Sequence, residues 1–140
     1  MKKPIFLFVA VLILTGCQSK PVTGEAIIAG DGSYKSISAV ELNTMLKDKD
    51  FLLVNVHIPF AGNIPGTDLS IPYDQIEQSL SQLPADKQAK LVLYCRSGRM
   101  SQIATERLVA LGYTNIWDVT GGMVDWEQAG FQMETQRTAE

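Results

Sequence analysis

Cysteine and histidine are scarce in this chain. Its 140 residues include two cysteines, Cys17 and Cys95, and one histidine, His57. A metal site needs a cluster of such ligands, and a dithiol redox site needs two closely spaced cysteines, so neither is expected. The sequence also has no internal repeat and no glycine-rich dinucleotide motif. We therefore expect a protein that works without a metal or another cofactor.

Basic residues and long apolar runs are also few. The chain has 12 lysines and arginines against 15 aspartates and glutamates. Lys2 and Lys3 belong to the leader, which leaves 10 against 15, or a net charge of −5, in the remainder. Such an acidic body lacks the basic face that nucleic acid binding requires. The apolar run at residues 5–14 is too short to span a bilayer as a helix, and the chain length suits one domain.

The N-terminus has the pattern of a leader that ends in a lipid anchor. Two lysines precede the apolar run, which leads into Leu14-Thr15-Gly16-Cys17 and resembles the bacterial lipobox, whose cysteine is acylated. We predict a signal peptide over residues 1–16, a lipid on Cys17 that anchors the protein without spanning the membrane, and a flexible tether over 17–32. Extended, that tether would reach about 50 Å, unless its apolar patch at 26–29 docks as an extra strand. Gln18 stands where lipoproteins of the inner membrane commonly carry aspartate, which favours the outer membrane, facing the periplasm.

Strands and helices alternate along the rest of the chain. Apolar and β-branched runs predict strands at residues 34–37, 51–57, 90–94 and 115–119. Amphipathic spacing predicts helices at 39–47, 74–83, from the Cys95 loop to Gly112, and at 123–128. Ser38 with Glu41 predicts a capping box at the first of these helices. The alternation predicts an α/β three-layer sandwich with a mainly parallel sheet of about five strands, formed by residues 33–131 and followed by a polar tail at 132–140.

Cys95 follows a predicted strand, at the edge where parallel sheets bind ligands. The loop after it reads Cys95-Arg96-Ser97-Gly98-Arg99-Met100-Ser101 and runs directly into a helix. Unpaired N–H groups at a helix start, the helix dipole and guanidinium groups all favour an anionic ligand and a thiolate over a thiol. Cys95 is therefore a candidate nucleophile, and the alternative is a buried structural cysteine. If Cys17 carries lipid, Cys95 has no disulfide partner in its own chain.

Together these features resemble the single-domain rhodaneses, a family of sulfurtransferases. Residues 95–101 resemble the active-site loop of the family, residues 62–66 its Gly-His-Ile-Pro-Gly motif, and Gly121-Gly122 with Trp126 its closing segment. Asn55 and His57 stand where the family often has Asp and Arg, so an ion pair cannot be assumed there. His57 is a possible general base, but a hydrogen-bonded structural imidazole is the favoured interpretation of a histidine that ends a buried strand.

The resemblance implies a double displacement through a cysteine persulfide. Cys95 would take sulfur from an anionic donor such as thiosulfate and pass it to a thiol, cyanide or protein acceptor. The resemblance places Arg96, Ser97, Gly98, Arg99, Met100 and Ser101 around the donor, with Asn55 and His57 behind them. Ser97 and Ser101 would either donate hydroxyl groups or cap the helix, and Met100 would line the pocket or pack beneath it.

Two other functions remain open from the sequence. Phosphatases and arsenate reductases of the same fold carry an arginine six residues after the cysteine, where this chain has Ser101. The shorter loop favours sulfur over phosphorus as the reacting atom. The second alternative is a rhodanese-like module that binds a partner in the cell envelope without catalysis.

Overall fold

The computed structural model describes Met1 and residues 20–135, and these form a six-stranded sheet between layers of helices. The strands are β1 (Glu25–Ala29), β2 (Gly32–Ile37), β3 (Leu52–Asn55), β4 (Leu69–Ser70), β5 (Leu91–Tyr94) and β6 (Ile116–Val119). The helices are α1 (Ala39–Met45), α2 (Arg99–Ala110) and α3 (Gly122–Gln128). The strand order is β1-β2-β6-β5-β3-β4, parallel throughout except for the antiparallel β1–β2 pair. The predicted α/β sandwich with a mainly parallel sheet is confirmed.

Two apolar cores lie on opposite faces of the sheet, because successive side chains of a strand point to opposite faces. Leu91 and Leu93 of β5 belong to the core beneath α2, whereas Val92 and Tyr94 belong to the core beneath α1 and α3. All four side chains of β5 are buried, as expected for a central strand of a parallel sheet. This burial holds the carboxyl end of β5, and with it Cys95, in a defined position.

The predicted capping box at α1 is confirmed. The Ser38 hydroxyl accepts a hydrogen bond from the Glu41 amide at 3.2 Å, and the Glu41 carboxylate accepts one from the Ser38 amide at 2.7 Å. Two of the amides that have no partner within the helix are thereby satisfied. The helix predicted at residues 74–83 is wrong. The segment forms two short 3-10 helices, Tyr73–Gln75 and Leu80–Gln82, each followed directly by a buried residue, Ile76 and Leu83.

The segment expected to be a tether is largely part of the fold. Residues 25–29 form β1, the additional sixth strand, because they pair with β2 through a tight turn and pack Ile27 and Ala29 on the core. Val22 packs on the opposite core. Only the chain before Val22 is left to act as a tether, and five residue steps from Cys17 to Val22 span about 18 Å at most.

The expected C-terminal tail also begins later than predicted. The Trp126 indole donates a hydrogen bond to the carbonyl of Gln132 at 2.9 Å, and Glu134 and Asn63 exchange two backbone hydrogen bonds of 2.7 and 2.8 Å. Residues up to 134 are thereby tied to the domain. The signal peptide, Cys17, Gln18 and residues 136–140 lie outside the described residues. Within the described part of the chain, no helix is long and apolar enough to cross a membrane.

Candidate active site

Cys95 lies directly after β5 and is held by the loop that follows it. The Gly98 amide donates a hydrogen bond to the Cys95 sulfur at 3.0 Å. Gly98 has a φ of +102°, which an L side chain rarely adopts, and it is the N-cap residue directly before α2. The side chain of Cys95 is only 1% exposed, so the sulfur lies beneath the loop, at the N-terminal end of α2. A sulfur that accepts an amide hydrogen at a helix start is better suited to carry negative charge than one in a purely apolar site.

The start of α3 holds the backbone of this loop from below. The Met123 amide donates to the carbonyl of Cys95, and the Val124 amide donates to the carbonyl of Arg96, each at 3.0 Å. Both carbonyls are thereby drawn toward α3, and the loop is fixed by backbone hydrogen bonds at its first two residues. The resemblance assigned Gly121 and Gly122 to a closing segment, and the structure places that segment against the cysteine loop.

Arg96 and Arg99 supply positive charge to the site without a carboxylate partner. Both side chains are exposed, and within residues 20–135 neither makes a salt bridge. Arg107, further along α2, differs because its guanidinium lies 3.2 Å from the Glu77 carboxylate. The two arginines of the loop are therefore available for an anion that approaches Cys95.

The remaining loop residues divide between the surface and the interior. Ser97 is exposed beside the two arginines, and its hydroxyl is free to face an incoming ligand. Met100 is half-buried and packs against the core beneath α2. Ser101 is fully buried, and its hydroxyl donates to the carbonyl of Gly98 at 3.1 Å. Of the two serines, Ser101 therefore braces the loop from within.

Asn55 ties the neighbouring loop to the end of β3. Its amide nitrogen donates to the Gly62 carbonyl at 3.0 Å and to Asn63 Oδ1 at 2.9 Å, and its oxygen accepts from the His57 amide at 3.0 Å. Asn55 is 2% exposed, so all three bonds are made away from water. An ionised aspartate could not make the hydrogen bond to the Gly62 carbonyl, because a carboxylate has no hydrogen to donate.

The imidazole of His57 contradicts the favoured interpretation of a hydrogen-bonded structural histidine. Nδ1 is buried and has no hydrogen-bond partner, although the ring as a whole is only half-buried. Burial lowers the pKa of His57, and the nearby positive charge of Arg96 lowers it further. His57 is therefore a neutral ring at the edge of the arginine-bearing loop.

Two buried polar residues near the site had not been identified from the sequence. The Tyr94 hydroxyl accepts from the Ile64 amide at 3.0 Å and shares a hydrogen bond of 2.7 Å with Thr67, and burial raises the pKa of Tyr94 to about 12. Asp118 of β6 is 6% exposed, and burial raises its pKa to about 6. The signal that could have identified Asp118 is a carboxylate inside an otherwise apolar predicted strand.

The chain was compared with known protein families. The family model for the rhodanese-like domain matches residues 38–129. The chain belongs to the rhodanese-like family. A model for the prokaryotic membrane lipoprotein lipid attachment site matches residues 1–18, in agreement with the predicted lipobox. Among the described residues, no group of three histidine, cysteine or acidic side chains is arranged to hold a metal ion.

Individual rhodanese-like relatives include a sulfurtransferase of Allochromatium vinosum, which is 34% identical over 67% of this chain and 89% of its own length. The crystal structure of a rhodanese-related protein from Thermoplasma volcanium is 30% identical and superimposes with a TM-score of 0.63, covering 74% of this chain and 100% of that one. The tRNA uridine(34) hydroxylase of Erwinia tasmaniensis is 30% identical over 75% of this chain. This chain spans 31% of the length of that hydroxylase, so the match concerns one part of a longer protein.

Proposed function

We propose that this rhodanese-like protein is a lipid-anchored sulfurtransferase of the cell envelope, which takes sulfur from an anionic donor such as thiosulfate onto Cys95. The single observation that supports this most strongly is the hydrogen bond of 3.0 Å from the Gly98 amide to the Cys95 sulfur. The same loop carries Arg96 and Arg99, which have no carboxylate partner in the described chain. This arrangement suits a thiolate that reacts with an anion.

The reaction has two steps, and each conserves charge. The Cys95 thiolate attacks the outer sulfur of thiosulfate; a sulfur–sulfur bond forms on Cys95, and the sulfur–sulfur bond of the donor breaks to release sulfite with its electron pair. The persulfide then passes its outer sulfur to a thiolate or to cyanide, and the Cys95 thiolate is restored. The sulfur is carried covalently on the enzyme, so the proposal requires no metal or other cofactor.

Arg96 and Arg99 have the same task in both steps. A doubly charged donor must approach a thiolate, and the two guanidinium groups offset that repulsion at the mouth of the loop. The amides at the start of α2 would stabilise the persulfide anion in the same way that the Gly98 amide now contacts the sulfur. The acceptor is a thiol, cyanide or a protein thiol, and the acidic body of the chain favours partners other than nucleic acid.

The phosphatase alternative is weaker because of the position of Ser101. A phosphatase of this fold would have an arginine at this position, six residues after the cysteine, to hold a tetrahedral oxyanion. Here the Ser101 side chain is fully buried and donates its hydrogen to the Gly98 carbonyl. Its hydrogen is thereby already used within the protein, and a serine supplies no positive charge to an oxyanion.

The proposed location is the outer membrane, with the domain facing the periplasm. The lipid attachment site at residues 1–18 supports an anchor on Cys17, and Gln18 in place of aspartate supports the outer membrane.

The test is the intact mass of the protein after incubation with thiosulfate and removal of the excess. We use a leaderless chain beginning at residue 18, so that Cys95 is the only cysteine. We expect a gain of one sulfur atom, its loss on addition of cyanide with formation of thiocyanate, and no gain in Cys95→Ser. A chain that remains folded but never gains sulfur from thiosulfate or another sulfane donor would overturn the proposal in favour of a binding module.

A further inference from the structure

A buried carboxylate lies on β6, a strand that contacts α2. Asp118 occupies the third position of β6 and is 6% exposed, and its Oδ1 has no hydrogen-bond partner. A carboxylate in such a place is costly, because a buried polar atom without a partner loses its interactions with water and gains none in return. The proposed sulfur transfer makes no direct use of this residue.

Ser101 connects Asp118 to the loop. The nearby Ser101 hydroxyl lowers the pKa of Asp118, partly opposing the larger effect of burial. The same hydroxyl is placed to donate to the Gly98 carbonyl at 3.1 Å. A hydroxyl has one hydrogen, so it can serve only one of these acceptors at a time. Gly98 in turn donates its amide hydrogen to the Cys95 sulfur.

We propose that Asp118 is a positioning residue for Cys95, and that its protonation state sets the reactivity of the thiolate through Ser101 and Gly98. The proposal rests on the proposed function in taking Cys95 as the nucleophile. It adds a pH-dependent control of that nucleophile, exerted from the opposite side of the loop.

The two states of Asp118 act on the loop in opposite directions. A protonated Asp118 can donate its hydrogen to the Ser101 oxygen, which leaves the Ser101 hydrogen for the Gly98 carbonyl and braces the loop. An ionised Asp118 competes with Gly98 for that hydrogen. It also puts a negative charge beneath the N-terminal end of α2, where the partial positive charge of the helix would otherwise stabilise the thiolate. Ionisation of Asp118 is therefore expected to reduce the thiolate fraction of Cys95.

The surroundings of Asp118 determine the pH at which the change occurs. Burial raises the pKa of Asp118 to about 6, and the charge of Glu106 on α2 raises it as well. The phenol of Tyr34 on β2 faces the same site, and the charge of Asp118 raises the pKa of Tyr34. Thr105, one turn after Ser101, is fully buried with an unpartnered hydroxyl. Leu93 of β5, which lies beside Asp118 in the sheet, carries no charge.

The test is the rate of Cys95 alkylation by a neutral reagent as a function of pH, measured on the leaderless chain. The wild-type profile should show an additional inflection near pH 6, where Asp118 titrates. Asp118→Asn retains a side chain that can donate to Ser101 but cannot ionise. We expect this variant to lose the inflection and to be alkylated faster than wild type above pH 6.

Glu106→Gln is the matched control, because it removes a negative charge from α2, the helix that contains Ser101, and leaves Ser101 unchanged. Its inflection should remain and move to lower pH, since the Glu106 charge raises the pKa of Asp118. Superimposable profiles for wild type and Asp118→Asn would overturn the proposal. If Asp118→Asn does not fold, the wild-type protein provides the test. The amide resonances of Gly98 and Arg99 should shift with pH with a midpoint near pH 6, and resonances that do not change with pH would overturn the proposal.

The alkylation experiment is independent of sulfur transfer. A chain that shows the expected alkylation profiles but gains no sulfur from any donor would contradict the proposed function alone. A chain that gains sulfur normally, with an alkylation profile unaffected by Asp118→Asn, would contradict the role of Asp118 alone.

Discussion

Gly122 lies so close to Cys95 that a β-carbon on Gly122 would overlap the carbonyl oxygen of Cys95. Gly122 also has a φ of +52°, in the left-handed region. Two separate requirements, space and backbone conformation, therefore exclude other residues at this position. The contact explains how α3, which follows the last strand, can fix the loop that follows β5.

Gly122→Ala should misplace the loop and reduce sulfur loading of Cys95. Gly130→Ala is the matched control, because Gly130 has a φ of +85° but no atom within 4 Å of its would-be β-carbon. Backbone strain alone should cost Gly130→Ala about 1 kcal/mol of unfolding free energy and leave loading intact. Gly122→Ala should cost about 2 kcal/mol more, because the clash is with backbone. Urea unfolding and intact mass measure both effects, and equal losses in the two variants would contradict the role of the contact.

Arg99→Ala should raise the KM for thiosulfate about fivefold. This factor corresponds to about 1 kcal/mol, the contribution expected from one exposed charge. Arg107→Ala, a change of the same kind on the same helix, should leave KM unchanged because Arg107 pairs with Glu77. Raised salt should weaken thiosulfate use in wild type more than in Arg99→Ala, since salt screens exposed charges. Equal salt dependence in all three proteins would show that Arg99 does not attract the donor.

Asn55→Asp, which introduces the residue that the family often has, should destabilise this protein. The carboxylate would face the Gly62 carbonyl at a distance of 3.0 Å with no hydrogen to donate. We expect a loss of about 2–3 kcal/mol at neutral pH, partly recovered in acid as the new carboxyl group becomes protonated. Asn115→Asp, at a half-buried position, is the control and should lose less. Urea unfolding at two pH values checks this, and a neutral or stabilising Asn55→Asp would contradict the assigned hydrogen bonds.

The stability of the fold should depend on pH through Asp118. Its pKa is about 6 in the folded protein against an ordinary value of 3.8, so the folded state binds this proton more tightly than the unfolded chain. The resulting stabilisation is complete below the unfolded value and is lost as pH rises through 6, amounting to about 3 kcal/mol. Asp118→Asn should therefore gain stability relative to wild type as pH rises from 4 to 7. His57, whose lowered pKa has the opposite effect, is present in both proteins and cancels in the difference. A pH-independent difference in unfolding free energy would contradict this prediction.

Cys17→Ser should release the protein from the membrane fraction while sulfur loading of Cys95 is retained. The reason is that residues from Val22 onward belong to the folded domain, which does not need the lipid for its core. Cys95→Ser is the matched cysteine control and should stay in the membrane fraction without loading sulfur. Fractionation followed by intact mass measures both properties. Membrane retention of Cys17→Ser equal to that of wild type would disprove the anchor.

Local sequence signals were reliable where one physical requirement acted alone. The capping box at Ser38 and Glu41 needs only residues three apart in a helix, and it formed as predicted. The apolar spacing at residues 74–83 predicted one helix, but the segment forms two 3-10 helices and buries Ile76 and Leu83, the residues that follow them. Apolar spacing in a short segment satisfies either structure, and packing against the rest of the protein decides between them.

The parallel α/β sheet, the lipid attachment motif and the position of Cys95 between a buried strand and a helix could all be predicted before the structure was known. These features depend on periodicity and on neighbouring residues. Four features came only from the structure: residues 25–29 join the sheet, Asn55 ties a loop to β3, His57 Nδ1 has no partner, and Asp118 Oδ1 is buried without a partner. Each of these depends on contacts between residues distant in the chain, and the order in which the strands pair brings those residues together.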